Sequence, residues 1–349
     1  MEELEIVRYA RMEGMRMFFN KIDFRTFHFH EEWEILLAVE NPLVVRTSSK
    51  EFVLQEGEIC VLNPYAVHEL QKKEKSSTFL CLQVSPDLFP AAMQLKNMVL
   101  EDYEAGPYYD ANGMARLCLH LLALMDLYLQ SPPNYELKAS ASAAIILSSV
   151  LDHMPSRKLT NSELDSLIAK SQRITSFKKF VDQNYRHTIH LKDFAREEGC
   201  TLSYLSTFIK KELNMSFRDY VNQVRFYASL KIILDPHLKM QQICDECGFS
   251  DYRYFSAVFK ENTGMSPLEF RRQPVEIAEA QMHVHQSIHS LERFYTVSES
   301  RKLLKKNLQM AAAMIREGSL DGSHVLYAGL KQDDLPPAAA SLFQGGREA

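Results

Sequence analysis

The spacing of apolar positions changes along this 349-residue chain. Over residues 1–90 they alternate or fall in short blocks, at 16–22, 34–39, 43–48, 50–54, 58–62 and 78–84. Asn41-Pro42, Gln55-Glu56-Gly57 and Asn63-Pro64 separate several of these blocks. Short blocks punctuated by turn residues predict strands, and many of them together predict a β-sandwich or small barrel. From 111 to 155 the spacing becomes helical. Residues 114–130 carry a broad apolar face through Leu117, Leu121, Leu124 and Tyr128, which Ser131-Pro132-Pro133 ends. Residues 136–154 form a second helix, rich in small residues, that stops at Pro155. Residues 156–172 are polar and read as a linker. Beyond 272, residues 275–294 and 298–316 read as helices, and the composition from 317 onward is loose.

Between these regions one pattern occurs twice. Leu191, Phe194 and Ala195 share a helical face, as do Met240, Ile243 and Cys244. Gly199 and Gly248 follow, 49 residues apart, where a left-handed residue ends a helix. Thr201 and Ser250 are suited to cap a second helix. Leu205, Phe208 and Ile209 then face inward in the first copy, and Phe255, Val258 and Phe259 in the second. Tyr204-Leu205-Ser206 matches Tyr254-Phe255-Ser256 at an offset of 50, so the second turn is one residue longer. A short helix, a tight turn and a second helix with a polar outer face make a helix-turn-helix, whose second helix enters the major groove. The two motifs span about 191–212 and 240–262.

The region 173–272, above all Tyr204 to Leu234 and Gly248 to Arg272, resembles the C-terminal domain of AraC/XylS-type transcriptional regulators. The resemblance implies seven helices, with the two motifs joined by one long helix at about 216–234. It also implies recognition helices facing the same side of DNA. Thr207 and Ala257 stand where an Arg commonly stands in the family. Tyr252 replaces a frequent Pro, and His190 replaces a Ser or Thr cap. The outward residues that would contact DNA are Thr201, Ser203, Tyr204, Thr207, Lys210 and Lys211, then Ser250, Asp251, Tyr252, Arg253, Ser256 and Lys260.

Charge agrees with this division. Of 40 Lys+Arg and 45 Asp+Glu, 17 and 12 fall within 170–275, leaving 23 and 33 elsewhere. A locally basic module on an acidic carrier suits a nucleic-acid binder, because phosphate neutralisation supplies much of the affinity. The six cysteines are scattered and the N-terminus lacks a signal-peptide core, so free thiols and a cytoplasmic location are expected. Cys244 and Cys247 read as core residues, having no second ligand pair at zinc-finger spacing. The longest apolar runs are broken by Asp, His or Ser, so no membrane span is expected. His283, His285 and His289 cluster in the tail and read as a solvated helix face.

His28, His30 and Glu34, followed by Gly57 and by Tyr65-Ala66-Val67-His68, resemble the cupin fold used as the N-terminal sensor of AraC-type regulators. In metal cupins the two His, the Glu and the later His bind the ion. Sensor cupins instead keep a polar pocket for a small effector. The expectation is therefore an effector site of His28, His30, Glu34, His68, Trp33 and Tyr65, with no metal and no cofactor.

The expected fold class is α+β and multidomain. A cupin-like sensor barrel spans 1–110, a helical pair for dimerisation 111–155 and a linker 156–172. An all-α double helix-turn-helix domain spans 173–272, and a helical extension of unknown role 273–349. The expected function is an effector-responsive, sequence-specific DNA-binding transcription regulator, an activator and not an enzyme. Its expected partners are double-stranded operator DNA, a small-molecule effector (a sugar, from the family), RNA polymerase and a second copy of the chain. The alternatives are a metal-cupin enzyme fused to a DNA-binding domain, and a constitutive architectural DNA binder.

Overall fold

The computed structural model describes residues 12–90, 95–272 and 289–317. Seven antiparallel strands form a nearly closed barrel: β1 (Met15–His28), β2 (Trp33–Glu40), β3 (Leu43–Thr47), β4 (Glu51–Leu54), β5 (Ile59–Leu62), β6 (His68–Lys72) and β7 (Ser77–Val84). Their order is β4-β3-β6-β1-β7-β2-β5. All six predicted blocks are strands. Strand β6 carries little strand signal in the sequence, because only Leu70 of its five residues is strongly apolar. The structure supplies the reason: Glu69 and Gln71 face another domain instead of solvent.

The barrel wall is apolar on both faces, so its strands read as blocks and not as clean alternation. Leu36, Leu43, Val45, Phe52, Leu62 and Phe79 fill the interior. Trp33, Ile35, Leu37, Val61 and Leu82 point outward and are covered by two helices, α1 (Ala111–Gln130) and α2 (Tyr135–His153). The connecting segment 156–172 has regular structure. Its strand β9 (Ser156–Lys158) pairs with β8 (Met98–Leu100), and residues from Asn161 onward begin helix α3 (Asn161–Asn184). Thr160 and Glu163 close a capping box at its start.

Helices α3, α4 (Leu191–Glu197), α5 (Leu202–Leu213), α6 (Phe217–Ile232), α7 (Met240–Glu246), α8 (Tyr252–Thr263) and α9 (Pro267–Arg271) are the seven implied by the resemblance. Ser216 with Asp219, and Ser266 with Glu269, form capping boxes at equivalent points of the two copies. One expected cap is corrected. Asp251, not Ser250, caps α8, accepting from the Tyr254 N–H at 2.8 Å, while Ser250 donates to the Asp251 carboxylate. The extra residue in the second turn moves the cap one position along.

The extension is also corrected. Ser290–Phe294 is a strand, β10, which pairs antiparallel with Asn20–Arg25 of β1. Its helical reading came from local amphipathicity, and pairing with β1 overrides that preference. Residues 275–288, with His283 and His285, lie outside the described residues, as does the chain from 318. Helix α10 (Val297–Glu317) follows and packs through Leu303, Leu304 and Leu308 on the cluster that holds α1. None of the described helices is long and apolar enough to cross a membrane.

The barrel docks on the helical domain through a mixed seam. The Phe24 ring stacks on Tyr227 with centroids 3.7 Å apart and planes 12° apart. Phe27, Phe29 and Val67 enter the same cluster as Ile174, Phe177, Phe180 and Phe194. Burying side chains of this size is worth ~1.5–3 kcal/mol each. Buried Lys178 of α3 donates to the Phe27 carbonyl. Gln223 of α6 donates to Glu69 Oε1 at 2.7 Å, and Arg46 reaches Glu69 Oε2 at 3.3 Å.

Glu69 is fully buried, and this burial raises its carboxyl pKa despite Arg46. A carboxyl with a raised folded-state pKa binds its proton more tightly when folded. Its contribution is therefore most favourable below the ordinary carboxyl range and is lost as pH rises through the raised value. Glu69→Gln should remove that loss, raising stability on the order of 1 kcal/mol at pH 8 with no gain at pH 4. Thermal melts at both pH values check this; a less stable variant at pH 8 would mean that the Arg46 pair outweighs burial.

Candidate functional site

The structure presents two sites. The first is the outer face of the two helix-turn-helix units. Thr201, Ser203, Tyr204, Thr207, Lys210 and Lys211 are exposed around α5, and Ser250, Asp251, Arg253 and Lys260 around α8. Tyr252 and Ser256 are half-buried. Thr201 caps α5 by accepting from the Tyr204 N–H. His190 begins α4 without a side-chain cap bond.

Three residues at this face escaped the sequence reading. Arg173 of α3 donates to the Tyr204 hydroxyl at 2.8 Å. Arg218 of α6 donates to the equivalent Tyr254 hydroxyl at 3.1 Å, and Asn222 donates to it at 2.6 Å. Each recognition helix is thus held through its tyrosine by an arginine on the helix that precedes its motif. The visible signal was the tyrosine repeated at an offset of 50.

Between the motifs lies an open groove of about 900 Å³, lined by Arg186, His190, Lys192, Arg218, Asn222 and Tyr254 among others. Arg225 fixes its floor, donating to the carbonyls of Tyr185 at 2.8 Å and His187 at 2.9 Å. On α6 the groove residues Arg218, Asn222 and Arg225 lie opposite Gln223 and Tyr227, which meet the barrel. At 100° per residue these sets fall on opposite faces. The barrel therefore docks on the back of α6 and leaves the groove open.

The second site is inside the barrel. His28, His30, Glu34 and His68 are all buried. His30 Nε2 lies 3.0 Å from Glu34 Oε2, and His68 Nε2 lies 3.4 Å from Glu34 Oε1. The His28 and His68 rings are 4.1 Å apart. Each imidazole turns its Nδ1 to a backbone carbonyl: His28 to Thr26, His30 to Glu32 and His68 to Ala66. A carbonyl only accepts, so each Nδ1 carries a proton, and the Nε2 atoms of His30 and His68 turn to Glu34. Burial, then the neighbouring His68, pushes the His28 pKa well below its usual value and keeps that ring neutral. Burial opposes the charge on Glu34, but His30 and His68 outweigh it and hold its carboxyl well below the usual range. Gln83 of β7, also missed by the sequence reading, donates to Glu34 Oε2 at 2.7 Å.

The other two expected residues do not join this cluster. Trp33 lies on the opposite face of β2 from Glu34, in the core beneath α1 and α2, because adjacent strand residues face opposite ways. Tyr65, at φ 62°, packs toward the helical domain. Burial and the Glu31 carboxylate push its phenol up to about 12.

The donor set fits a metal. Ligand atoms of His30, Glu34 and His68 all lie within 4.8 Å of one another. Two imidazoles and a carboxylate, with the histidines anchored through Nδ1, suit a divalent transition ion. Such an ion would supply positive charge among these acceptors.

Profile comparisons add the lineage. Residues 18–149 match the AraC-like ligand binding domain, and residues 194–273 match a helix-turn-helix domain. Together they cover more than half of the chain. The chain belongs to the AraC-type transcriptional regulators. An uncharacterized HTH-type transcriptional regulator of Escherichia coli, YijO, is 27% identical over 132 residues, 38% of this regulator and 46% of YijO. The Msm operon regulatory protein of Streptococcus mutans is 32% identical over 100 residues, 29% of this chain and 36% of its own. The regulator thus matches less than half the length of these curated relatives. Among solved structures, ToxT from Vibrio cholerae O395 aligns with TM-score 0.36 and 13% identity over 74% of this chain and 97% of its own.

The two glycines of the regulator's motifs offer an internal comparison. Gly199 and Gly248 both have positive φ, 62° and 80°. A Cβ at Gly199 would meet open space, whereas one at Gly248 would fall 2.4 Å from the Tyr185 carbonyl oxygen. Gly199→Ala should therefore cost only the left-handed penalty of ~1–2 kcal/mol, and Gly248→Ala clearly more. Urea unfolding of both variants checks this; equal losses would mean that the approach to Tyr185 imposes no constraint.

Proposed function

We propose that this chain is an effector-responsive, sequence-specific DNA-binding regulator of transcription. The observation that carries the reading is the alternation of residues 27–30, at the end of β1 and just beyond it. His28 and His30 turn into the sensor cluster, while Phe27 and Phe29, alternating with them, enter the core of the helical domain. A guest bound by the histidines thereby bears on the DNA-binding unit through one short stretch of chain. The family's pairing of a ligand-binding domain with a helix-turn-helix domain supports a regulator over an enzyme. Activation through RNA polymerase, a cytoplasmic location and a homodimer complete the proposal. For the dimer, α1 lies against the barrel, α2 and α10, so the outer face of α2, with Leu137 75% exposed, is the surface offered to a second copy.

On DNA, α5 and α8 enter successive major-groove turns and the basic groove between them meets phosphates. Arg253, exposed early in α8, is placed to pair with a guanine edge. Arg253→Ala should cost about 1–3 kcal/mol and relax specificity at one base pair. Lys210→Ala should weaken all sequences alike and reduce the salt slope by roughly one unit. Binding titrations across salt and operator variants separate the two effects; an Arg253 variant that keeps its sequence preference removes the base-reading role.

The sensor cluster is a buried group of imidazoles and one carboxylate, so it favours a small polar guest with hydrogen-bonding groups, such as a polyhydroxy compound, a sugar among them. A second reading, a divalent metal, rests on the convergence of His30, Glu34 and His68. Thermal-shift titration with sugars and, separately, with Zn²⁺ or Co²⁺ distinguishes them, since a guest of the folded state raises the melting temperature. His30→Ala and His68→Ala should abolish the shift while leaving basal DNA affinity within roughly threefold. If coupling is typical, they should also remove about 1–3 kcal/mol of guest-dependent change in DNA affinity. Folded variants that respond fully would place the effector site elsewhere.

A further inference from the structure

Residues 289–317 lie outside both matched domains. They leave the helical domain and return to the sensor. Strand β10 lines β1, and α10 covers α1. Glu292, buried, accepts from Asn20 at 2.5 Å and lies 3.6 Å from Arg25, both on β1. Lys306 reaches Glu40 of β2 at 2.8 Å.

At the head of this segment stands His289, which touches both domains. Its carbonyl accepts from the Thr26 N–H at 2.7 Å, and its Nδ1 meets the Thr26 hydroxyl at 3.2 Å. Its Nε2 lies 2.9 Å from Asp182 Oδ2, in the last turn of α3. A carboxylate only accepts, so Nε2 donates to it and Nδ1 is free to accept from Thr26. The Thr26 carbonyl in turn accepts from His28 Nδ1. An unbroken line of hydrogen bonds therefore runs from the sensor cluster through Thr26 and His289 to α3.

We propose that residues 289–317 form an intramolecular latch that holds the DNA-binding domain in one orientation on the sensor, with His289 as its pin. Covalent continuity through α3, and the Phe24–Tyr227 and Glu69–Gln223 contacts at α6, already attach the helical domain to the sensor. The latch adds a further point at the C-terminal end of α3, which limits rocking of that helix about the seam. Lys178, one turn before Asp182 on α3, grips the next carbonyl of β1, that of Phe27, so the pin and this lysine act on adjacent residues of one strand.

Hydrogen exchange of the full chain, read by mass spectrometry without DNA or any guest, tests this apart from the regulatory reading. In His289→Ala, peptides covering 24–28 of β1 and 178–185 of α3 should exchange at least tenfold faster together, with α8 unchanged. Leu304→Asp, which expels α10 from a site on the sensor, should accelerate the same α3 peptide if the segment works as one latch. The proposal is overturned if only one of the two regions responds to His289→Ala, if neither does, or if α8 accelerates equally, which marks general destabilisation. It is also overturned if the response to Leu304→Asp stays within α1 and α10. Should Leu304→Asp fail to fold, the His289→Ala result alone decides.

Discussion

The alternation of one short stretch of chain governs how the two halves of this molecule relate. From Thr26 to His30, at the end of β1 and just beyond it, successive side chains face opposite sides. One side is the barrel interior, where His28 and His30 meet Glu34 and His68. The other is an aromatic core shared with α3 and α4, which Phe27 and Phe29 enter. Neither set can shift by one residue without driving imidazoles into an apolar core and phenyl rings into a polar cluster. The register is therefore fixed by two environments at once. Val67 and His68 repeat the arrangement on the neighbouring stretch of chain. Sensor and DNA-binding unit are thus two faces of the same few residues, more than two bodies joined by a tether.

The seam differs in character from the sites that it separates. Phe24 stacked on Tyr227 supplies apolar area, while Glu69, Arg46 and Gln223 supply directional contacts. A buried carboxylate against a guanidinium adds little net stability once desolvation is counted. What such a pair adds is dependence on geometry, since its worth falls steeply when the partners move apart. A seam of this kind distinguishes one docked arrangement from its neighbours better than a purely greasy contact does.

Much of this was legible in the chain. The repeated glycine, tyrosine and Met-Ser elements located both motifs, because each position answers a local demand: a left-handed turn, a buried face or a cap. The four histidine and glutamate positions were legible from their residue types and close spacing. What escaped was whatever depends on a distant segment. Strand β6 looked too polar until Glu69 and Gln71 met α6. Ser290–Phe294 looked helical until it paired with β1. Trp33 seemed to belong with its neighbour Glu34, but one step along a strand moved it to the other side of the wall. Arg173 and Arg218 carry no local mark at all; only the fold sets them beside Tyr204 and Tyr254. The cap at Asp251 was missed by a single residue, the length of the longer turn.

The two recognition helices keep the same register, so that Thr201 and Asp251, Tyr204 and Tyr254, and Lys210 and Lys260 occupy matching places. Other outward positions do not match. Ser203 faces Arg253 across the repeat, Thr207 faces Ala257, and Lys211 faces Glu261. A frame that repeats with contents that differ has a head and a tail. On the proposed reading each chain is a vector laid along the duplex, and turning it end for end would present the wrong letters to both grooves. A site for it would have a direction of its own, set within a single chain.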